Sequence, residues 1–403
     1  MSRLPRPLQP VWPLAKRVHL AATIVTGAIF RMLSPLFGRR GLPRRASLSS
    51  AATAAAEPTT TAIHLGPPGE IIDRPSAIGE PPLHHTFEEA RVGHMPDPHV
   101  LDLQDGTVVG DYGAIITTNG TFDFETSRYF SVYRWFEHPL FLRARLPKPL
   151  QVDGTVVSLA TRGGDRNYWH FLLEVLPRWA MVRQILPGVD VDAVFVPSAL
   201  GYERDLLAMA GIDSELVIPT GTTPAVRASR LLVPGYPNHR ELQPRWLVDW
   251  VRQTFKPVDT AGKPRRLFVT RGSGPNTRRL VEGPAIEAML QERGFVTIDP
   301  GTMSVQEQID HFAAAEEVVG IHGAALTNLV FAPAGVRVLE MFAPTYVKHC
   351  YWALLHNIPD SRYRYLLGRG EPPRAGRPMY GIQADIDLDP GQVAQALDAL
   401  LER

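Results

Sequence analysis

Between Val318 and Glu340 the sequence reads VVGIHGAALTNLVFAPAGVRVLE, and the order of its apolar runs and breakers admits few folds. A strand-type run (Val318, Val319, Ile321) stops at His322-Gly323, and a small-residue helix restarts at Ala324. Pro333 and Gly335 end that helix, and a second apolar run closes at Glu340. This is the spacing of a strand, turn, helix, strand unit, which builds a parallel sheet. Ligands bind such sheets at the carboxyl ends of the strands, where free amides at the start of the next helix attract anions. His322 and Glu340 are each expected at such an end.

The same alternation surrounds this unit. Arg266 to Thr270 reads as a strand, Arg271 to Arg279 as a loop holding three arginines, and Pro284 to Arg293 as a helix. Phe295 to Ile298 is the next strand, and Ser304-Val305-Gln306-Glu307 is a capping box that opens a further helix. Ile382 to Leu388 alternates as an edge strand does. Asp389-Pro390 then starts a last helix with Val393, Leu397 and Leu400 on one side. Arg271, His322 and Glu340 thus follow three strands of one sheet and are expected to converge on one edge.

In the N-terminal half, short runs between Ile71 and Pro149 alternate with Gly, Pro and Asp, and Asn119-Gly120 marks a hairpin turn. They predict an antiparallel lead-in. His84-His85 falls in a Pro-bounded loop and is expected to be solvated. From Thr155 onward strands and helices alternate, which predicts a parallel sheet here as well. Along the helix expected from Asn167 to Ile185, Leu172, Val175, Leu176, Trp179 and Val182 form an apolar stripe. Asn167, His170, Glu174 and Arg178 share another face. The domain reading is a disordered Ala/Pro/Arg-rich tail over 1–63, an α/β domain over 64–256, a second over 263–388 and a terminal helix over 389–403. Lys256 to Lys263 serves as the hinge.

Composition narrows the function. Forty-two basic and forty-one acidic residues leave a net charge of +1, which argues against a nucleic-acid partner held by phosphate neutralisation. The lone Cys350 excludes an internal disulfide and a thiolate zinc cluster, and points to a reducing, cytoplasmic location. Val18 to Phe30 is apolar between Lys16-Arg17 and Arg31, but short of the roughly 20 residues that span a bilayer. Peripheral contact with the inner membrane face through residues 16–38 and an inert tail are both open. A signal peptide is disfavoured because the small-residue stretch Ser49 to Ala56 lies far beyond four arginines. There is no P-loop, dinucleotide fingerprint or nucleophile elbow. Asp190-Val191-Asp192 precedes a strand, where a metal-binding pair would follow one.

Three blocks in order, NYWHFLLEVLPRW (Asn167 to Trp179), VTRGSGPNTRR (Val269 to Arg279) and VVGIHGAALTN (Val318 to Asn328), resemble glycosyltransferase family 61. That family is seen in capsular polysaccharide enzymes and in eukaryotic xylosyl- and N-acetylglucosaminyltransferases. The resemblance implies a GT-B-like α/β fold, two Rossmann-like parallel-sheet domains facing a cleft, with the terminal helix packed back across the first. It implies a nucleotide-sugar donor, a UDP-sugar by expectation, a glycan acceptor hydroxyl, and inverting transfer with no metal and no cofactor. Donor binding falls to Arg271, Arg278, Arg279, His322, Gly323, Ala324, Asn328 and Glu340, with Glu340 on ribose hydroxyls or orienting an arginine. Inverting transfer also needs a base near the acceptor, for which His170 leads, followed by Glu174 and Asp165. A second reading, a catalytically silent nucleotide-sugar-binding scaffold subunit, draws on Glu282-Gly283-Pro284, which interrupts the family pattern.

Overall fold

Residues 12–79, 83–272, 278–370 and 384–402 are described by a computed structural model. The chain divides into two units, Leu4–Gly69 with Pro96–Pro237, and Glu70–Met95 with Asn238–Arg403.

The first unit opens with the helix α1 (Trp12–Leu33). Its sheet has nine strands: β1 (Arg45–Ser47), β2 (Thr61–Leu65), β3 (His99–Val109), β4 (Ala114–Ile116), β5 (Thr121–Asp123), β6 (Leu150–Ser158), β7 (Ala193–Val196), β8 (Val217–Pro219) and β9 (Ala225–Pro234). Their order is β1-β5-β4-β3-β9-β6-β7-β8, with β2 also on β3. The strands β9, β6, β7 and β8 run parallel, as the alternation predicts. The lead-in strands are antiparallel, as expected, and they join the same sheet, because β3 pairs antiparallel with nine residues of β9 and makes the sheet mixed. The two Rossmann-like sheets of the expectation therefore reduce to one mixed sheet and one parallel one. Leu101, Val108, Val156, Phe195 and Leu231 pack in its core.

Residues 12–63, expected as a disordered tail, are built into this unit. The strand β1 pairs with β5, and β2 pairs with β3. Two buried carboxylates explain the difference. Asp123 accepts hydrogen bonds from Ser50 and Thr53 of the helix Ser50–Ala56. Glu57 accepts from Thr117, Asn119 and Thr121, at 3.0, 3.0 and 2.6 Å. A Ser/Thr-rich stretch that looks solvent-seeking by composition is satisfied by partners some 60 to 75 residues away.

In the second unit five strands, β10 (Arg266–Val269), β11 (Val296–Ile298), β12 (Glu317–Ile321), β13 (Arg337–Phe342) and β14 (Arg362–Leu367), are all parallel in the order β11-β10-β12-β13-β14. The capping box is formed, with Ser304 Oγ accepting from the Glu307 amide and the Glu307 carboxylate accepting from the Ser304 amide. The last helix, Pro390–Leu401, packs into its own unit. Its Val393, Leu397 and Leu400 are buried with Ile286, Leu290 and Leu339 in the core of its own unit. Of the expected edge strand, residues 382–383 lie outside the described residues, and Ile386 forms a single parallel bridge to Leu280.

The boundaries also move. The helix Arg245–Thr254 belongs to the second unit, because Arg252 donates to the carbonyls of Val330 and Ala332 at 2.6 and 2.8 Å. Asp310 fastens Val258 through its amide at 2.8 Å, so residues 256–263 are not a hinge between domains. Residues 70–95 cross over as well, because Phe87 stacks on Tyr365 at 4.4 Å and meets Trp352 edge-on. His84 is buried rather than solvated. Its Nδ1 accepts from the Thr86 amide, and burial pulls its pKa down to about 4.

Candidate active site

The convergence of Arg271 and His322 on one sheet edge is observed, because β10 and β12 are neighbours. Arg271 lies two residues beyond β10, and its Nη1 donates to the His322 carbonyl at 2.8 Å. Gly323 makes that approach feasible. Its backbone is extended, but a Cβ placed there would lie 1.8 Å from Arg271 Nη1. Residues 273–277 of the arginine loop lie outside the described residues. Arg278 re-enters the site, 5% exposed, with its guanidinium over the Tyr346 ring at 4.6 Å. Arg279 is exposed, and its backbone is tied to Asp385 and Ile386, so it stands apart from the cluster.

Arg278 Nε and Nη1 and Arg271 Nε find no hydrogen-bond partner among the described residues. Burial, and then the neighbouring Arg271 charge, lower the Arg278 pKa to about 10; burial lowers Arg271 too. A buried and a half-buried guanidinium side by side with donors to spare are costly until an anion arrives, and a phosphate oxygen is the acceptor their planar fork suits.

Glu340 differs from expectation. It lies within β13, opposite Gly320, and not at the strand end. Fully buried, it bonds His322 Nδ1 through Oε1 at 2.5 Å and accepts from the Tyr363 hydroxyl through Oε2 at 2.6 Å. It therefore neither reaches a ribose nor orients an arginine; it orients His322. Burial raises the Glu340 carboxyl to about 8. Burial, followed by the charges of Arg278, Arg271 and Lys348, holds His322 well below the usual histidine range. The pair is thus neutral at pH 7, with the protonated carboxyl donating to Nδ1. The imidazole then carries its hydrogen on Nε2, as a donor.

Two predictions arise here. Gly323→Ala displaces Arg271 and is expected to cost nucleotide affinity as much as Arg271→Ala does, about tenfold or more for a charge-assisted hydrogen bond. Calorimetric titration checks this, and unchanged affinity would show that Arg271 relocates freely. Glu340 titration carries a sign as well. As pH rises through about 8 its buried carboxyl ionises and draws the imidazole hydrogen to Nδ1. Nucleotide affinity is expected to fall above that pH in the wild type. In Glu340→Gln, whose amide donates to Nδ1 at every pH, the fall is expected to vanish. A fall that persists in Glu340→Gln excludes Glu340 as its source.

Ala324 begins a 3-10 turn, Ala324–Phe331, whose entry is held by the Tyr351 hydroxyl donating to the Gly323 carbonyl at 2.6 Å. Asn328 is fully buried and donates to Gln308 Oε1 at 2.8 Å and to the Ala325 carbonyl at 3.1 Å. It fastens that turn to the helix Val305–Ala314. Sequence reading missed Tyr346, Lys348 and Tyr351, which surround His322 from the segment after β13. Placing the strand end at Phe342 would have found them. Glu282-Gly283-Pro284 is the start of the helix Gly283–Glu292, so it disturbs nothing.

The remaining candidates belong to the first unit. Asn167 caps a short turn, Tyr168–His170, by accepting from the Trp169 and His170 amides. A π-helical segment, Phe171–Val175, follows and leads into the helix Leu176–Ile185. Pro177 has no amide to donate at this junction, so a shifted hydrogen-bond register is tolerated beside it. His170 Nδ1 meets Glu174 Oε2 at 2.8 Å, with side-chain exposures of 13% and 2%. Phe130 abuts the ring edge-on, and a Cβ on Gly163 would lie 2.9 Å from it. Asp165 pairs with Arg166 instead, at 3.2 Å. Arg178 spends its donors on the carbonyls of Ala160 and Pro234, tying the ends of β6 and β9 together. Among the described residues no group of three His, Cys, Asp or Glu is placed to hold a metal ion.

Two α/β units, one with two arginines at a parallel-sheet edge and one with an oriented histidine, suit an enzyme that transfers a group from an anionic carrier. A family profile described as Glycosyltransferase 61 matches residues 168–339, from the His170 turn into β13. The chain carries a glycosyltransferase family 61 domain over that span. No curated protein matches the chain.

Proposed function

We propose that the protein is an inverting, metal-independent glycosyltransferase that moves a sugar from a nucleoside diphosphate, a UDP-sugar, to a hydroxyl of a surface polysaccharide or similar glycan. The observation that carries this reading is the buried Arg278 and half-buried Arg271 guanidiniums, with unspent donors at the strand edge. The acceptor oxygen attacks the anomeric carbon as the bond to the diphosphate oxygen breaks, and configuration inverts. Glu174 accepts His170 Nδ1–H, which leaves Nε2 free to take the acceptor proton. Arg271, Arg278 and His322 Nε2–H meet the charge that develops on the leaving diphosphate, in the role a divalent ion fills in other transferases. A GT-B-like arrangement is part of this reading, supported by two α/β units with separate sheets and cores.

The test is a thermal-shift screen of the full chain against UDP, GDP, CMP and their sugars, with and without EDTA. Selective stabilisation by one nucleotide, indifferent to EDTA, is expected, about 2.7 kcal/mol at a hundredfold excess over Kd. No shift at millimolar nucleotide would sink the donor site.

A further inference from the structure

The helix α1 has two unlike faces. The inner one is fastened to the first unit. Thr23 is 1% exposed, and a Cβ on Gly27 would lie 2.9 Å from Phe141 Cβ. The Arg31 guanidinium covers the rings of Trp135 and Phe141 at 5.0 Å each. Just past the helix, Ser34 Oγ donates to the Leu42 carbonyl at 2.7 Å. The outer face carries Val18, Val25, Ile29 and Met32, between 47% and 77% exposed, and Leu36 in the turn that follows is 78% exposed. Their spacing of three, four and seven residues makes one continuous apolar stripe. Scattered exposed apolar residues mean little, but a stripe of this length marks an interaction surface.

Charge identifies the occupant. Nine basic residues and no acidic one precede Glu57, in a chain whose net charge is only +1. Of these, Arg17, Arg39, Arg44 and Arg45 are exposed around the ends of the stripe. An apolar face bordered by arginines fits an anionic lipid surface. The segment Arg17–Arg40 also holds an 18-residue stretch apolar enough to cross a bilayer, with a mean hydropathy of 1.6. Crossing would strip Thr23, Gly27 and Arg31 from their packing and leave the Arg31 charge in hydrocarbon. We infer that α1 lies in the surface of an anionic membrane, its outer stripe at the boundary of headgroups and acyl chains, while its inner face stays on the protein.

The experiment is vesicle flotation of the full chain with phosphatidylglycerol–phosphatidylcholine vesicles and with phosphatidylcholine alone. Binding to the first at least tenfold tighter than to the second, reversed by high salt, is expected. The double variant Val25→Asp, Met32→Asp is expected to lose binding at least tenfold with its melting temperature unchanged, because both side chains are exposed. The pair Arg39→Glu, Arg44→Glu is expected to weaken binding to the anionic vesicles only. Equal binding to both vesicle types, or none to either, overturns the inference. Resistance of the cellular membrane fraction to alkaline extraction would show a spanning helix instead. A dimer dissolved by Val25→Asp, Met32→Asp would assign the stripe to a second copy.

Discussion

Replacing Arg278 with Met is expected to raise the melting temperature of the ligand-free protein and to lower its nucleotide affinity about 10- to 100-fold. Both effects have one cause. The guanidinium is 5% exposed, two of its nitrogens lack partners among the described residues, and burial beside Arg271 depresses its pKa to about 10. An apolar side chain of similar length removes an uncompensated buried charge, a change that stabilises by about 1 to 4 kcal/mol in comparable sites. For a unit of this size that corresponds to roughly 2 to 4 °C per kcal/mol. In the proposed donor site the same change deletes charge-assisted hydrogen bonds to phosphate, each worth about 1.5 to 3 kcal/mol. Scanning calorimetry without ligand and titration with UDP read the two effects separately. A lower melting temperature with unchanged affinity would make Arg278 a structural residue and remove it from the donor site.

His170→Ala is expected to leave nucleotide binding intact and to reduce sugar transfer by about 100- to 10,000-fold, the usual range for a general base. Removing the ring also strands Glu174, which is 2% exposed. His170→Gln is therefore the companion variant, because its amide can still donate to that carboxylate although it cannot take a proton. If both variants lose turnover while their melting temperatures hold, the loss belongs to proton transfer. Near-normal turnover in His170→Gln would hand the role to Glu174 or Asp165. Asp165 starts at a disadvantage, with its carboxylate already paired to Arg166.

What was legible in the sequence was whatever depends on neighbours close along the chain. The strand and turn from Val318 to Gly323, the capping box at Ser304 and the apolar stripe of the last helix all rest on periodicity or on bonds spanning three residues. So does the His170–Glu174 pair, four residues apart. The strand-end rule for parallel sheets then brought Arg271 and His322 to one edge without any long-range knowledge. It stopped short where a strand ran two residues further than its pattern suggested, which hid Tyr346 and Lys348.

Partners far apart in the chain were decided by the tertiary structure alone. Composition alone determined that Ser50, Thr53 and Glu57 are polar, and so assigned them to solvent; only folding set the first two against Asp123 and the last against Thr117 and Thr121. Sequence likewise marked Glu340 as a polar residue near a strand end, while its neighbours in space, His322 and Tyr363, set its task. The physical reason is the same in each case. Local periodicity specifies which face of an element is apolar, but the free energy of a buried polar group depends on what lies across from it, and that neighbour is chosen by packing.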